Sequence, residues 1–188
     1  MFTILPIKGY IDQIDGFFCD GIHAGLKPNG NNDLGFIYTK EACTVAAIFT
    51  ENRFQAAPLK HFLAYEEGFK TNFVLINSKN ANALTGRKGI EDINTLFSKL
   101  NFDLINPVMS STGVIGNRLP IEKLVTGALK FDLTAKSGEN LSRAIMTTDA
   151  YPKTCLYEVK LEDGSSFKIG AVAKGAGMIN PNLATMLC

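Results

Sequence analysis

The last fifteen residues, Lys174–Cys188 (KGAGMINPNLATMLC), combine glycines, a proline and a threonine in a pattern that could support acyl transfer. The threonine, Thr185, carries a hydroxyl that is a weak nucleophile unless a base lies beside it. One available base is the residue's own α-amine, which a cut just before it would set free. The reference pKa of such an amine is about 7.7 to 8.0, close to the pH at which a general base works best. The segment therefore contains a candidate N-terminal threonine nucleophile.

The cut would fall between Ala184 and Thr185, and the chain would have to make it itself. The Thr185 hydroxyl would attack the Ala184 carbonyl, giving an ester that water then opens. Strained backbone helps that step, and two glycines and a proline lie just upstream. The spacing alone leaves two other interpretations open. Thr185 could be an ordinary β-forming residue, or the segment a phosphate loop, which is disfavoured because Asn180 stands where a G-x-G-x-x-G motif has its third glycine.

Three other polar segments could complete a site. Ser110–Gly116 (SSTGVIG) follows a predicted strand, where a turn can direct a threonine hydroxyl and a backbone N–H at a developing oxyanion, or can be an ordinary turn. Asn77–Asn82 (NSKNAN) is rich in asparagine, which favours turns and left-handed conformations. Thr147 and Thr148 place two hydroxyls beside Asp149, an arrangement that also fits a capped turn in which the carboxylate accepts backbone hydrogen bonds.

The elements that would position these segments begin with short apolar runs. Runs of buried-strand length predict strands over Thr44–Phe49, Asn72–Asn77 and Pro107–Ser111. Cys155–Leu161 and Ser166–Ala173 flank a Glu-Asp-Gly turn, which predicts a hairpin. We expect two cysteines in the core. Cys43 lies next to the run Thr44–Phe49, and Cys155 begins the run Cys155–Leu161.

Helical patterns lie between the predicted strands. They cover Pro58–Glu67, Gly89–Leu100 and Pro120–Asp132, each with an apolar face. Gly68 follows the first of them and offers a left-handed stop. Since strands lie near both ends with helices between, we predict a layered α/β domain.

Composition limits the possible functions. The chain has 188 residues, 46% of them hydrophobic, so it can form a real core. Its 19 Lys and Arg residues balance 18 Asp and Glu residues without a basic stripe, which excludes nucleic acid as a partner. Four scattered cysteines and two histidines favour neither a zinc site nor a disulfide framework. No run approaches the roughly 18 apolar residues of a membrane span, so we predict a reduced, cytoplasmic protein without membrane, metal or bound cofactor.

Taken together and in this order, the segments resemble the ornithine acetyltransferase family, also called glutamate N-acetyltransferases. These are arginine-biosynthesis enzymes that split themselves into α and β chains. The resemblance implies a layered α/β sandwich of the self-cleaving ornithine acetyltransferase type, here only its N-terminal, α-chain half. The six segments in register that carry it are GFFCDGIHAG (16–25), TENRFQAAP (50–58), NSKNAN (77–82), SSTGVIGNRLP (110–120), MTTDAYPK (146–153) and KGAGMINPNLATML (174–187).

The resemblance also implies roles for individual residues. It places self-cleavage between Ala184 and Thr185 and makes Thr185 the acetyl-carrying nucleophile. Thr112 and Gly113 match the two oxyanion-hole positions. The substrate-binding positions that it implies are Thr148, Lys174 and Thr185, with Thr147 a close rival of Thr148.

The chemistry implied is ping-pong acyl transfer, in which Thr185 takes acetyl from N2-acetylornithine and passes it to glutamate. Both halves pass through a tetrahedral oxyanion, so one hole serves both. No cofactor is implied, although some family members also take acetyl from acetyl-CoA. The partner implied is the β chain of the same precursor, in a heterotetramer of two α and two β chains.

The chain also departs from the family pattern. Lys79 stands where the family usually has glycine, Ala150 stands where it usually has threonine, and the family continues for roughly another domain after this motif.

We interpret residues 1–184 as an α-chain domain and residues 185–188 as the start of the β chain. The isolated chain is expected to be inactive and to self-associate. The alternatives are a truncated chain that only binds a partner half, and a related self-cleaving amidase or aminopeptidase that hands the acyl group to water.

Overall fold

Two separate β-sheets organise the chain, and the computed structural model describes residues 2–177 and 186–188. One sheet has the strand order β2-β3-β4-β5 and the other the order β1-β6-β7. A short 3₁₀ turn, Ile11–Gln13, follows the first strand. In chain order the elements are β1 (Phe2–Pro6), β2 (Phe17–Ile22), β3 (Leu34–Thr44), α1 (Ala57–Phe62), β4 (Lys70–Asn77), α2 (Gly86–Ser98), β5 (Val108–Ser111), α3 (Ile121–Ala128), α4 (Gly138–Ala144), β6 (Lys153–Leu161) and β7 (Ser166–Ala173).

The main core lies on one face of the four-stranded sheet. Leu34 and Phe36 lie two residues apart in β3, so both side chains point to the same face of the sheet. They form the core there with Phe73 of β4, and all three are fully buried. The rings of Phe36 and Phe73 stack with centroids 6.1 Å apart. Leu96 of α2 and Leu124 of α3 cover this face, since the apolar sides of both helices point toward it. On the other face, α4 packs against β2 and β3.

The direction of the last pair of strands determines where the candidate site can form. The pairs β2–β3 and β3–β4 are antiparallel, whereas β4 and β5 are parallel. The carboxyl ends of β4 and β5 therefore meet at one edge of the sheet, with Asn77 beside Ser111. The loops that leave these two strands begin next to each other.

The three-stranded sheet has one apolar, exposed face. Ile4 pairs with Val159, and Val159 pairs with Phe167. Tyr157 pairs with Ile169 two residues along, and because successive side chains in a strand alternate, these residues share one face. Its exposed members, called the apolar face below, are 36% to 62% exposed: Phe2, Ile4, Tyr157, Leu161, Phe167 and Ile169.

Much of the predicted fold is confirmed. The α/β class, the strands over 72–77 and 107–111 and the hairpin are all present, and the hairpin turns at Gly164 with φ +85°. The three predicted helices exist, although α1 ends at Phe62 rather than Glu67 and α3 at Ala128 rather than Asp132. Gly68 does adopt a left-handed conformation, with φ +77°, in the turn that follows α1. In the part of the chain that the structure describes, no helix has both the length and the apolar character needed to cross a membrane.

The strand predicted over Thr44–Phe49 is wrong. The strand in this region is β3, which lies upstream and ends at Thr44. The apolar run after it has no regular secondary structure, and its Ile48 is 81% exposed. The core prediction for two cysteines also fails, because Cys155 is exposed and Cys43 only half-buried, while Cys19 is the fully buried cysteine. The elements β1, β2, β3 and α4 were not predicted.

Candidate active site

The asparagine-rich loop after β4 is folded by its own side chains. The amide of Asn77 donates a hydrogen bond to the Asn80 carbonyl (2.9 Å) and accepts one from the Ser111 hydroxyl (2.7 Å). Lys79 and Asn82 adopt left-handed conformations, with φ of +77° and +47°. The sequence-based prediction of turns in NSKNAN is thus confirmed, and the buried Asn77 links the loop to β5.

The turn after β5 is clamped against this loop. The Thr112 N–H donates to the Asn77 carbonyl (3.0 Å), and the Val114 N–H donates to the Lys79 carbonyl (3.0 Å). Gly113 lies between them with φ +134°, and a Cβ added there would be only 2.2 Å from the carbonyl carbon of Lys79. Only glycine therefore fits between the two loops.

The turn presents two hydrogen-bond donors beside a buried ammonium. Lys174 is 3% exposed, and its Nζ donates to the Thr112 Oγ1 at 3.1 Å. Because the hydroxyl oxygen accepts from the ammonium, its own proton remains available for a ligand. No acceptor among the described residues takes the Gly113 N–H. Burial lowers the pKa of Lys174, and the nearby Asp149 carboxylate acts in the opposite direction.

Asp149 joins the threonine-rich turn to the segment that carries Lys174. Its carboxylate accepts hydrogen bonds from Lys153 Nζ (2.7 Å), Gly175 N–H (2.8 Å) and Thr147 N–H (3.1 Å). Burial works to raise the pKa of Asp149, but these hydrogen bonds outweigh it and lower the pKa from 3.8 to about 2. The carboxylate thus caps the turn, as one interpretation of the sequence predicted.

These segments surround a cavity of about 910 Å³. Among the predicted site residues, Thr112, Gly113, Thr147, Thr148 and Lys174 all line it. Both threonines reach the cavity, so the choice between Thr147 and Thr148 as the substrate contact stays open. Ala184 and Thr185 lie outside the described residues. Leu187 pairs with Lys174 of the site, since the two residues exchange both backbone hydrogen bonds (2.9 and 3.3 Å).

A third loop, between β2 and β3, was missed as part of the site. The buried Asp33 carboxylate accepts N–H bonds of 2.7 Å each from Ala24, Leu26 and Lys27, which fixes the loop. Lys27 lines the cavity, and its Nζ donates to the Asn32 carbonyl (2.6 Å). Burial lowers the pKa of Lys27. The signal available in the sequence was the lysine-glycine-asparagine content of residues 25–32, which is hard to separate from an ordinary loop.

The lining of the cavity is rich in cations. Among the described residues that line it, four are basic and one, Asp149, is acidic. The Asp149 carboxylate is already paired with Lys153 at 2.7 Å. Such a lining favours anionic small molecules, because cations in a partly enclosed cleft concentrate negative charge. The basic lining residues are Lys27, Lys79, Arg143 and Lys174.

The fold and the cavity define a layered α/β protein with a donor-lined, cationic pocket for a small molecule. Comparison with known proteins identifies the family. The ArgJ family model matches residues 18–188, and the chain belongs to the ArgJ family.

Curated relatives have similar sequences along the whole chain. The arginine biosynthesis bifunctional protein ArgJ of Wolinella succinogenes is 52% identical over 191 residues, which cover 100% of this chain and 48% of that protein. The protein of the same name in Dehalococcoides mccartyi is 41% identical, covering 98% of this chain and 46% of its own length. The chain therefore spans about half the length of the curated relatives it matches.

Two solved structures share the fold over nearly the full length of both chains. One is the arginine biosynthesis bifunctional protein ArgJ of Bacillus halodurans, with a TM-score of 0.86 and 34% identity, covering 99% of each chain. The other is the ornithine acetyltransferase of Mycobacterium tuberculosis complexed with ornithine, with a TM-score of 0.78 and 29% identity, covering 98% of this chain and 100% of that one.

Proposed function

We propose that this chain is the α half of an acetyltransferase that moves acetyl from N2-acetylornithine to glutamate in arginine biosynthesis. The observation that carries the proposal is the contact of Lys174 with Thr112 at the edge of a cationic cavity. Two further findings support it: the relatives bear the name arginine biosynthesis bifunctional protein, and a structural neighbour is an ornithine acetyltransferase with ornithine bound. Acetyl-CoA is a second donor to test.

In the proposed first half-reaction, the Thr185 hydroxyl attacks the acetyl carbonyl of N2-acetylornithine, and its α-amine takes the hydroxyl proton. The carbonyl oxygen becomes an oxyanion that accepts hydrogen bonds from the Thr112 hydroxyl and the Gly113 N–H. Collapse of this intermediate breaks the C–N bond, and the α-amine returns the proton to the departing nitrogen of ornithine. Thr185 is left as an acetyl ester.

The second half-reaction reverses these steps with glutamate. Its amine attacks the acetyl ester of Thr185, and the same two donors stabilise the second oxyanion. Collapse expels the threonine oxygen, which regains its proton, and N-acetylglutamate leaves. Lys174 contributes by polarising the Thr112 hydroxyl, because a hydroxyl that accepts from an ammonium is a stronger donor.

Self-cleavage between Ala184 and Thr185 belongs to the same proposal, since it frees the α-amine that serves as the base. Residues 1–184 then form the α chain and residues 185–188 begin the β chain, with two of each in the assembly. The apolar face supports the proposal that a partner chain packs here, because exposed apolar patches of this kind mark interaction surfaces. The 188-residue polypeptide on its own is expected to be inactive.

The test is an acetyl-transfer assay on the protein made from the complete coding sequence of the gene. Acetylornithine as donor and glutamate as acceptor should yield N-acetylglutamate and ornithine. Thr112→Val removes one oxyanion donor and should lower kcat by about 10²- to 10³-fold. Thr95→Val, an exposed threonine of α2 outside the cavity lining, is the matched control and should retain wild-type turnover.

The assay also separates the alternative functions. Release of acetate that does not depend on glutamate would replace the transferase with an amidase or aminopeptidase. Binding of the isolated chain to a separately made second half, with no turnover in any form, would leave only a binding role. Full activity in Thr112→Val would remove this hydroxyl from the proposed oxyanion hole.

A further inference from the structure

Lys79 occupies a backbone conformation that lysine rarely adopts. Its φ is +77°, in the left-handed region, where a Cβ is disfavoured and where asparagine and glycine are the usual residues. The conformation is enforced by the neighbouring turn, because the Lys79 carbonyl accepts the Val114 N–H and its peptide packs against Gly113. A strained residue that persists beside a site points to a role there.

The side chain of Lys79 is free to meet a ligand. It is exposed, lines the cavity and has no hydrogen-bond or ion-pair partner among residues 2–177 and 186–188. The other basic lining residues are engaged. Lys27 donates to the Asn32 carbonyl, Lys174 donates to the Thr112 hydroxyl, and Arg143 forms an ion pair with Glu139 at 2.8 Å.

The proposed substrates differ in charge at the end away from the reacting nitrogen. Both carry an α-carboxylate, but glutamate ends in a second carboxylate, whereas ornithine and its N2-acetyl derivative end in an ammonium. An unpaired cation beside the turn of Thr112 and Gly113 attracts the terminal carboxylate of glutamate. The same cation repels the terminal ammonium of ornithine and of its N2-acetyl derivative. Since one cavity must accept both, a charge of this kind changes their relative affinity.

We infer that Lys79 is a specificity-determining residue whose ammonium favours the dicarboxylate, glutamate, over the diamino acid, ornithine. The inference rests on the proposed function for the identity of the two ligands. It does not require turnover, because it concerns equilibrium binding. The preference should weaken as salt is added, since an exposed charge is screened.

The experiment measures the Kd of glutamate and of ornithine by calorimetry, on the protein made from the complete coding sequence. Lys79→Asn keeps a residue that tolerates the left-handed backbone and removes the charge. It should change the ratio of the two Kd values by about three- to tenfold toward ornithine, the size expected for exposed charge pairs. Lys79→Arg should keep the wild-type ratio. Lys88→Asn, which removes an exposed lysine outside the cavity lining, should also leave it unchanged.

The outcomes separate this inference from the proposed function. Three results would overturn the role of Lys79. In the first, Lys79→Asn keeps the wild-type ratio of the two Kd values; in the second, Lys79→Arg changes that ratio as much as Lys79→Asn does. In the third, the wild-type protein binds neither ligand. If the ratio changes as expected while no acetyl is transferred, Lys79 retains its role and the acetyltransferase proposal fails.

Discussion

At the scale of single residues, Asp149 holds the candidate site together. Its carboxylate accepts hydrogen bonds from three segments, and its pKa is lowered to about 2. A carboxyl group whose pKa is lower in the folded than in the unfolded state stabilises the fold above the unfolded value of about 3.9. That contribution, on the order of 2 kcal/mol, is lost as the pH falls from about 4 toward 2.

Asp149→Asn should therefore lower the free energy of unfolding at pH 7 and flatten its dependence on acid pH. Urea unfolding at pH 7, 5 and 3 measures both effects. Asp103→Asn, an exposed aspartate outside the cavity lining, is the control and should behave like the wild type. An Asp149→Asn protein with the wild-type acid profile would contradict the assigned pKa.

The cysteines should differ sharply in reactivity. Burial raises the pKa of the Cys19 thiol to about 12, with the Asp12 carboxylate adding to the effect, whereas Cys155 and Cys188 are exposed. Because the thiolate is the reactive form, Cys19 should resist alkylation in the folded protein and react only after unfolding. Mass spectrometry of peptides after timed iodoacetamide treatment tests this. Labelling of Cys19 as fast as Cys155 would show that the thiol is accessible.

Local chemistry indicated the turn of Thr112 and Gly113 as a candidate site, whereas Lys174 was expected there only because of the resemblance to a known family. Thr112, Gly113 and Lys174 lie in segments with distinctive glycines or hydroxyls, and the structure brings them together. Lys27 was missed because its loop reaches the cavity through the tertiary fold, with Asp33 fixing it from a distance of six residues. Lys27 faces the cavity only because several loops assemble around it, and no pattern in the nearby sequence indicates this.

At the scale of elements, α4 depends on a glycine in the strand beneath it. Gly21 of β2 faces the backbone of Asn140, and a Cβ added there would be 2.3 Å from the Asn140 carbonyl oxygen. The helix can approach the sheet this closely only because the side chain is absent. α4 leads directly into the turn that carries Thr147 and Asp149, so its position affects the cavity wall.

Gly21→Ala should therefore destabilise the protein by about 1 to 3 kcal/mol, the usual cost of overpacking. Chemical unfolding measures the change. Gly177→Ala is the matched control because no atom lies within 4 Å of its added Cβ and its φ is not in the left-handed region. Equal stability of Gly21→Ala and wild type would mean that α4 can shift without cost.

The wrongly predicted strand shows what an apolar pattern cannot tell. The run Val45–Phe49 is apolar enough for a buried strand, yet Ile48 is largely exposed. Strand formation here was decided by pairing: Leu34–Tyr38 of β3 align with both β2 and β4, and the register shifts between Tyr38 and Cys43 before the strand ends. Pairing partners far along the chain determined the element, and the composition of the run did not.

At the scale of the whole molecule, the apolar face is the surface that we expect to drive association. Ile4, Phe167 and Ile169 lie on one exposed face of the three-stranded sheet. The isolated 188-residue polypeptide should self-associate, because removing this surface from water is favourable. Light scattering coupled to gel filtration measures the association.

A substitution separates this face from the rest of the surface. Phe167→Lys should shift the isolated polypeptide toward monomer, because a charge opposes burial of the face. Leu129→Lys, which changes an exposed leucine beyond the end of α3, should not. A monodisperse wild-type monomer with a cooperative melt would contradict the prediction.

The most direct test of the proposed function is the intact mass and N-terminal sequence of the polypeptides made from the complete gene, before and after incubation with N2-acetylornithine. We predict two chains, the second beginning Thr-Met-Leu-Cys at Thr185 and gaining the mass of one acetyl group on incubation. A single uncut chain that gains no acetyl group would contradict the proposal that Thr185 is the nucleophile.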